Sequence, residues 1–253
     1  MPLESQRARY RRLADLLRQG IESGEYPAGS ALPSEPALAD RFRVPRPLVN
    51  QALRVLRAEG LVHVQRGIGT TVRALPVLRR DAELRQRIRA DGGARGAFDA
   101  EMTRAGLTAR SQVTVSREVP PDDVARVLGL AAGERALVRR REMFADGQPV
   151  QLAASWLPLA VAAGTAIEAD DPGAGGIYGV LAALGQAPEQ FTESVRVRPP
   201  SPKEALFLML EEDQRVISIR REARTAAGLA VEANVMIMAA HQWELVYRWS
   251  ATG

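Results

Sequence analysis

The stretch RVPRPLVNQALRVLRAEG, residues 43–60, carries side chains that suit the edges and backbone of a nucleic acid. Arg46 sits between Pro45 and Pro47, and an apolar stripe of Val49, Ala52, Leu53 and Leu56 follows at helical spacing until Gly60. Proline suits a first helical turn, where no backbone N–H is needed for the ladder. The spacing therefore predicts a helix that holds Arg46 at its N-terminal end, off the apolar stripe. A guanidinium placed there has donors matching a guanine edge or a phosphate. Asn50 lies one turn on, on the same face, and its amide suits adenine. Arg54 is one further turn along, near backbone height, and Arg43 and Arg66 flank the helix. Taken singly, each is as readily an ordinary exposed side chain. The ordered set is what points to DNA.

The neighbouring segments are those that would position such a helix. Within residues 7–23, Tyr10, Leu13, Leu16, Leu17 and Ile21 form a helical stripe that ends at Gly24. Ser34 is a good N-cap for a second helix, with Glu35 in its first turn and Leu38, Ala39 and Phe42 facing inward. A short turn then leads to the third helix. After Gly60, Leu61, His63 and Gln65 alternate with Val62, Val64 and Arg66, and Gly67 and Gly69 break the run into a hairpin. His63 reads as structural. Helix, helix, short turn, helix, hairpin is a winged helix-turn-helix. Its third helix enters the major groove by its N-terminal end, and the tip at Arg66 and Gly67 can reach a minor groove.

Composition narrows the classes. The 253 residues contain no cysteine, which excludes disulfides and thiol nucleophiles, and two distant histidines, His63 and His241. Neither a metal nor another cofactor is expected. The start, MPLESQRARY, is polar, and no apolar run approaches the ~20 residues that span a bilayer. A cytoplasmic chain without a membrane partner is expected. Residues 1–73 hold 12 arginines and 7 acids, a balance of +5, while the whole chain is +4. A basic first third suits a polyanion partner, although a solvated basic surface fits the charge alone equally well. Lys203 is the only lysine, and the arginine bias runs through the whole chain, so genome composition explains it most simply.

Residues 74–95 are charged, thin in periodicity and rich in glycine near the end, and read as a linker. From residue 96 to 253 a second domain is expected. It contains an echo: Pro121, Arg139, Gly147 and Val150 recur in the same order and at one constant offset as Pro202, Arg220, Gly228 and Val231. Each copy reads helix, strand, turn, strand, and Ser201-Pro202-Lys203-Glu204 forms a capping box. Two such halves imply an α+β domain, an antiparallel sheet with helices on one side.

These motifs resemble a known family. LPSEPALADRFRVPRPLVNQALRVLRAEGLVHVQRGIGTTV looks like the DNA-binding domain of GntR-type transcriptional regulators, covering about residues 8–73. The resemblance implies that Arg46 reads a base and that Arg66-Gly67 is the wing tip. The chain departs from the family pattern at Pro36, Pro45, Pro47, Leu48 and Asn50, where arginine, serine, two threonines and arginine are usual. Leu48 could instead touch a thymine methyl, and an altered operator follows.

Segments such as LGLAAGERALVRRREMFADGQPV, ASWLP, IYGVLAALG and GLAVEANVMI resemble the UTRA effector-binding domain of the HutC subfamily, whose fold is similar to chorismate lyase. This implies a homodimeric repressor that binds an inverted-repeat operator in double-stranded DNA. A small anionic effector, such as a sugar phosphate or an organic acid, would release it. By the resemblance, Arg141, Ser155 and Glu232 fall on effector-binding positions. Met143 replaces a second arginine, Ala153 a glutamate, and Ala239-Ala240-His241 an Arg-Gly-Asp-like segment. Arg140 or Arg220 could act as a substitute cation. Tyr178 and Trp156 fit either a pocket wall or the core, and Asn234 either a ligand contact or a satisfied core amide. Two alternatives stand beside this: a repressor that answers to no effector or to a protein, and, less favoured, an enzyme using an Arg141/Glu232 acid–base pair.

Overall fold

The computed structural model describes residues 6–65, 67–83, 85 and 96–250. The N-terminal part runs α1 (Gln6–Glu22), α2 (Glu35–Phe42), α3 (Arg46–Ala58), β1 (Val62–Gln65) and β2 (Gly69–Val72). In α1 the buried face is Leu13, Ala14 and Leu17, with Tyr10 and Ile21 at its margins. Leu16, expected inward, is 46% exposed. At about 100° per residue a narrow stripe cannot take both Leu16 and Ala14, and the smaller residue fits the close approach to α3. Ser34 caps α2 by accepting the Ala37 N–H at 3.4 Å. That helix ends on Arg43 in the left-handed conformation, φ 52°, an uncommon state for a residue with a side chain. It makes the turn tight enough for α3 to start almost at once, at Arg46.

Helix α3 begins with Pro45 as N-cap, Arg46 as its first residue and Pro47 as its second. Its buried face is Leu48, Val49, Ala52, Leu53 and Leu56, packed with α1, α2 and the wing. This corrects the expectation for Leu48. It stands one helical turn before Ala52 and two before Leu56, so it shares their face, and at 3% exposure it is core. No thymine methyl can reach it. The wing strands pair antiparallel from Val62↔Val72 to Gln65↔Gly69.

The remaining chain forms β3 (Leu78–Asp81), α4 (Ala97–Arg104), β4 (Ala109–Glu118), α5 (Asp122–Leu128), β5 (Ala136–Ala145), β6 (Gln148–Pro158), α6 (Leu159–Ala162), α7 (Gly176–Ala183), β7 (Gln190–Arg198), α8 (Pro202–Phe207), β8 (Val216–Arg224), β9 (Ala230–Ala239) and β10 (Trp243–Val246). Six strands make one antiparallel sheet in the order β4-β5-β6-β9-β8-β7. The two copies of the echo are its two halves, joined where β6 meets β9. The Ser201–Glu204 capping box is present.

Two expectations change. Residues 78–81 do not belong to a linker: they form β3, which pairs parallel with β10, and the second compact unit starts at Leu78. The first unit ends at Val77 and includes Glu211–Gln214. Residues 84 and 86–95 lie outside the described residues. Nor are the helices all on one side. The repeat helices α5 and α8 pack with Val138, Trp156, Ala233, Val235 and Ile237 on one face. On the other, α6 and α7 pack over Leu137, Leu157, Ala223 and Val231. Residues 159–183 fall between the repeats and carry no echo, so their side could not be read from the repeat.

Replacing Leu48 by alanine should cost about 2–5 kcal/mol of stability, the usual range for a buried leucine, read as a lower urea midpoint. An unchanged midpoint with weakened DNA binding would return Leu48 to the surface.

Candidate functional site

Two regions concentrate polar side chains without obvious structural employment. The first is the exposed face of α3. Arg46, Pro47 and Arg54 are exposed and Asn50 is half-buried, so Arg46, Asn50 and Arg54 form one stripe, each a helical turn from the next. The buried leucines fix the helix, and the proline pair fixes where it starts, so Arg46 is presented from the first turn. There the helix N-terminus adds positive potential, which favours a phosphate nearby, although Pro45 and Pro47 carry no N–H and the Leu48 and Val49 N–H groups are bonded to the Pro45 carbonyl. Asn50 donates to Glu35 Oε1 at 3.1 Å. Its amide thus ties α3 to the first turn of α2, and adenine would have to compete with that carboxylate. Arg43 is exposed at the turn. Gly67, φ 83°, occupies the exposed wing tip, and Arg66 lies outside the described residues. His63 is half-buried and within 3.2 Å of Thr71 Oγ1 across the wing. Burial and the Arg73 charge lower its pKa, with the Glu211 charge working the other way.

The second region is a cavity of about 690 Å³ in the C-terminal unit. Its floor is the face of the sheet that α6 and α7 share, and its rim includes the start of α4 and residues 170–178. Of the effector residues expected from sequence, Arg141, Tyr178, Glu232 and Asn234 line it. Ser155 is fully buried behind them and accepts a hydrogen bond from Arg141 Nη2 at 2.7 Å. Tyr178 donates to Glu232. Trp156 faces the opposite side of the sheet and is core.

Strand alternation selects the cations. Arg139 and Arg141 point to the cavity, and Arg140 points away to Glu118 at 2.7 Å. Arg221 lines the cavity, and Arg220 bonds Asp123 on the other face. Arg140 and Arg220 are therefore not the substitute cations. Arg139 and Arg220 match in the sequence echo but lie on opposite faces. The fold's equivalents are Arg141, opposite Ala153, and Arg221, opposite Asn234. Their separation falls one residue short of the echo's offset, and a one-residue slip exchanges the faces of a strand. Arg139 clamps the rim instead, donating to the carbonyls of Ile167, Ala169 and Asp170.

Sequence reasoning also missed Gln151 and Arg85. Gln151 precedes Glu232 by the same offset that relates the two copies, and faces the cavity with it. Arg85 is buried and donates to Glu101 at 2.6 Å. Hydrogen-bonding atoms remain unmatched at the cavity: Arg141 Nε, Gln151 Oε1 and Asn234 Oδ1 have no partner. Burial lowers the Arg141 pKa, with the Glu232 charge working the other way. Around Arg221 burial also disfavours charge, but Tyr178, Glu193 and Glu232 outweigh it and raise the pKa. Arg221 donates to Glu193 Oε1 at 2.7 Å, and Arg80 on β3 forks across the same carboxylate, Nη1 to Oε2 at 3.0 Å and Nη2 to Oε1. Burial would raise the Glu193 pKa, but the Arg80 hydrogen bonds and the two arginine charges hold it at about 2.

Comparison with known proteins finds a family match for each part of the chain. Residues 9–72 match the bacterial regulatory proteins of the gntR family, and residues 104–243 match the UTRA domain. An uncharacterized HTH-type transcriptional regulator of Streptomyces coelicolor is 31% identical over 94% of this chain and 91% of its own. This chain belongs to the GntR family. Its helix-turn-helix followed by a UTRA domain is the HutC-type architecture, and it is a DNA-binding transcriptional regulator. The mannosyl-D-glycerate transport/metabolism system repressor of Escherichia coli is 30% identical over 60% of this chain and 59% of its own. The crystal structure of PhnF from Mycobacterium smegmatis, 23% identical, shares the fold with TM-score 0.60 over 96% of this chain and all of that one. Among the described residues no helix is long and apolar enough to cross a membrane.

Arg46→Ala should cost about 1–3 kcal/mol of affinity for the preferred site and relax the choice of base there; unchanged affinity in a fluorescence-anisotropy titration would remove Arg46 from base reading. Glu193 should stabilise the fold fully above the ordinary carboxylate value of 4.5 and progressively less as pH falls toward about 2. Glu193→Gln should accordingly melt below the wild type at pH 7, with the gap narrowing as the pH is lowered; a gap that does not change with pH would count against this pairing.

Proposed function

We propose that this regulator is a cytoplasmic, homodimeric repressor of an inverted-repeat operator, released when a small anionic effector occupies the C-terminal cavity. One observation carries the effector reading. Among the described residues Arg141 faces a cavity of about 690 Å³ with only Ser155 as a hydrogen-bond partner, and no carboxylate closes an ion pair with it. A guanidinium held out of bulk water with free donors suits a carboxylate or phosphate, which it can bind with two parallel hydrogen bonds. Arg221 supplies a second cation on the neighbouring half of the sheet, in place of the arginine lost at Met143. Gln151, Asn234 and Glu232 beside them would select for hydroxyl or amine groups on the same molecule. The arginine stripe on α3 carries the DNA reading, with Arg43, Arg46, Pro47, Asn50 and Arg54 along one surface and Gly67 at the wing tip.

A thermal-shift screen of sugar phosphates, organic acids, amino acids and nucleotides at fixed ionic strength tests this. A true effector stabilises by about 2.7 kcal/mol at 100 times its dissociation constant, and Arg141→Met should abolish the shift while leaving the unliganded melting temperature within a few degrees. Silence across the panel, with DNA binding intact, would favour a repressor that answers to no small molecule or to a protein.

A further inference from the structure

The register of the sheet sets five polar or charged side chains side by side across it. Arg139 stands opposite Ser155, Ser155 opposite Asn234, Asn234 opposite Arg221, and Arg221 opposite Glu193. The row starts at the cavity rim and ends at the sheet edge. There it does not stop: Arg80 and Tyr247 complete the coordination of Glu193, with Tyr247 Oη donating at 2.8 Å. Arg80 is completely buried and its Nε has no partner. It belongs to β3, whose strand neighbour is β10 and not the six-stranded sheet. The fork of Arg80 on Glu193 is therefore a polar tie between the β3–β10 pair and the sheet, alongside the Trp243 Nε1 bond to the Val150 carbonyl at 3.0 Å. In the chain, β3 begins at Leu78, immediately after the winged unit ends at Val77.

We infer that Glu193 is a shared carboxylate through which occupancy of the cavity is read out at β3, with Arg80 and Arg221 as positioning residues for DNA binding. This deepens the proposed function and rests on it. One carboxylate serves two buried guanidiniums. An anion entering the cavity beside Arg221 competes with Glu193 for the same donors and weakens the hold of Glu193 on that side. The strength of the Arg80 fork then changes with it, because both arginines donate to the same oxygen, Glu193 Oε1. With Arg221 seated on Glu193, β3 is held in one placement, and this is the state that binds DNA. Coupling of this kind needs a ligand that acts differently on the two states, and Arg221 meets that requirement because it touches both cavity and carboxylate.

The test does not require the effector. A preferred duplex is selected from random-sequence DNA by the full-length wild-type protein, and its affinity is then measured at fixed salt. Arg80→Lys and Arg221→Lys keep the charge but lose the two-pronged geometry. Each should weaken binding to the selected duplex at least fivefold, the lower end of typical allosteric coupling, with the thermal melt still cooperative. Arg220→Lys, on the same strand but facing Asp123, should bind like the wild type. If the lysine variants do not fold, the triple variant R80M/E193L/R221M replaces the buried ions by apolar groups of similar size, an exchange that folds can accept; folded, it should show the same loss. Folded variants that bind the duplex within twofold of the wild type would overturn the inference while leaving the regulator intact. Failure of the wild type to select any sequence would instead overturn the DNA-binding reading on which it rests.

Discussion

Setting Ser155 opposite Asn234 fixes the character of the effector domain. From that one antiparallel register, each residue of the central strands has an assigned face, and each arginine of the flanking strands follows. Arg139, Arg141 and Arg221 are committed to the interior, and Arg140 and Arg220 to the opposite face with Glu118 and Asp123. Burying guanidiniums is expensive unless each finds partners. The fold finds three different solutions. Arg139 is satisfied by carbonyl oxygens, Arg221 by a carboxylate, and Arg141 by a single hydroxyl beside an open cavity. The incomplete solution leaves Arg141 with unsatisfied donors facing the cavity.

The DNA-reading end uses the opposite strategy. Its charged groups are exposed, and precision comes from what lies beneath them. The first unit has a core of leucines, valines and alanines drawn from all three helices and the wing. Such cores resist deformation because they are close-packed. Helix α3 is held along its buried side by Leu48, Val49, Ala52, Leu53 and Leu56 and at its start by Pro45 and Pro47. Arg46 on the first turn is thereby positioned by rigid elements rather than by its own contacts. The glutamate–asparagine bond between α2 and α3 adds a polar tie.

Both units thus place their candidate side chains on regular elements, and the short irregular segment 73–77 leads from the wing strand β2 to β3. That strand has no ladder to the six-stranded sheet; its pair is held there by the Arg80–Glu193 ion pair, by buried Leu78 and by the Trp243 indole donating to the Val150 carbonyl. Ionic ties in a low-dielectric setting are strong when complete and costly when broken.

The winged helix-turn-helix was legible in the sequence because its information is local: caps, proline placement, helical periodicity and a glycine-broken hairpin each act within a few residues. Even there Leu16 and Leu48 misled, since a stripe's edges are decided by what packs against them. The two-fold architecture of the second domain was legible from the constant-offset echo, and Arg141, Tyr178, Glu232 and Asn234 were named before their convergence was visible. Strand parity could have found Arg139 from Arg141, and the echo's offset could have found Gln151 from Glu232. Arg221 could not be found that way, because the echo pointed to Arg220, one residue and one face away. Nor could the strand at 78–81 be read from a short charged segment whose partner, β10, lies near the far end of the chain. The sequence by itself determined the winged helix-turn-helix elements, the repeat halves, the family and the chemistry available. The tertiary structure decided which arginines are inside, which carboxylate they share and where the cavity opens, because those depend on register and on long-range pairing, which no local pattern encodes.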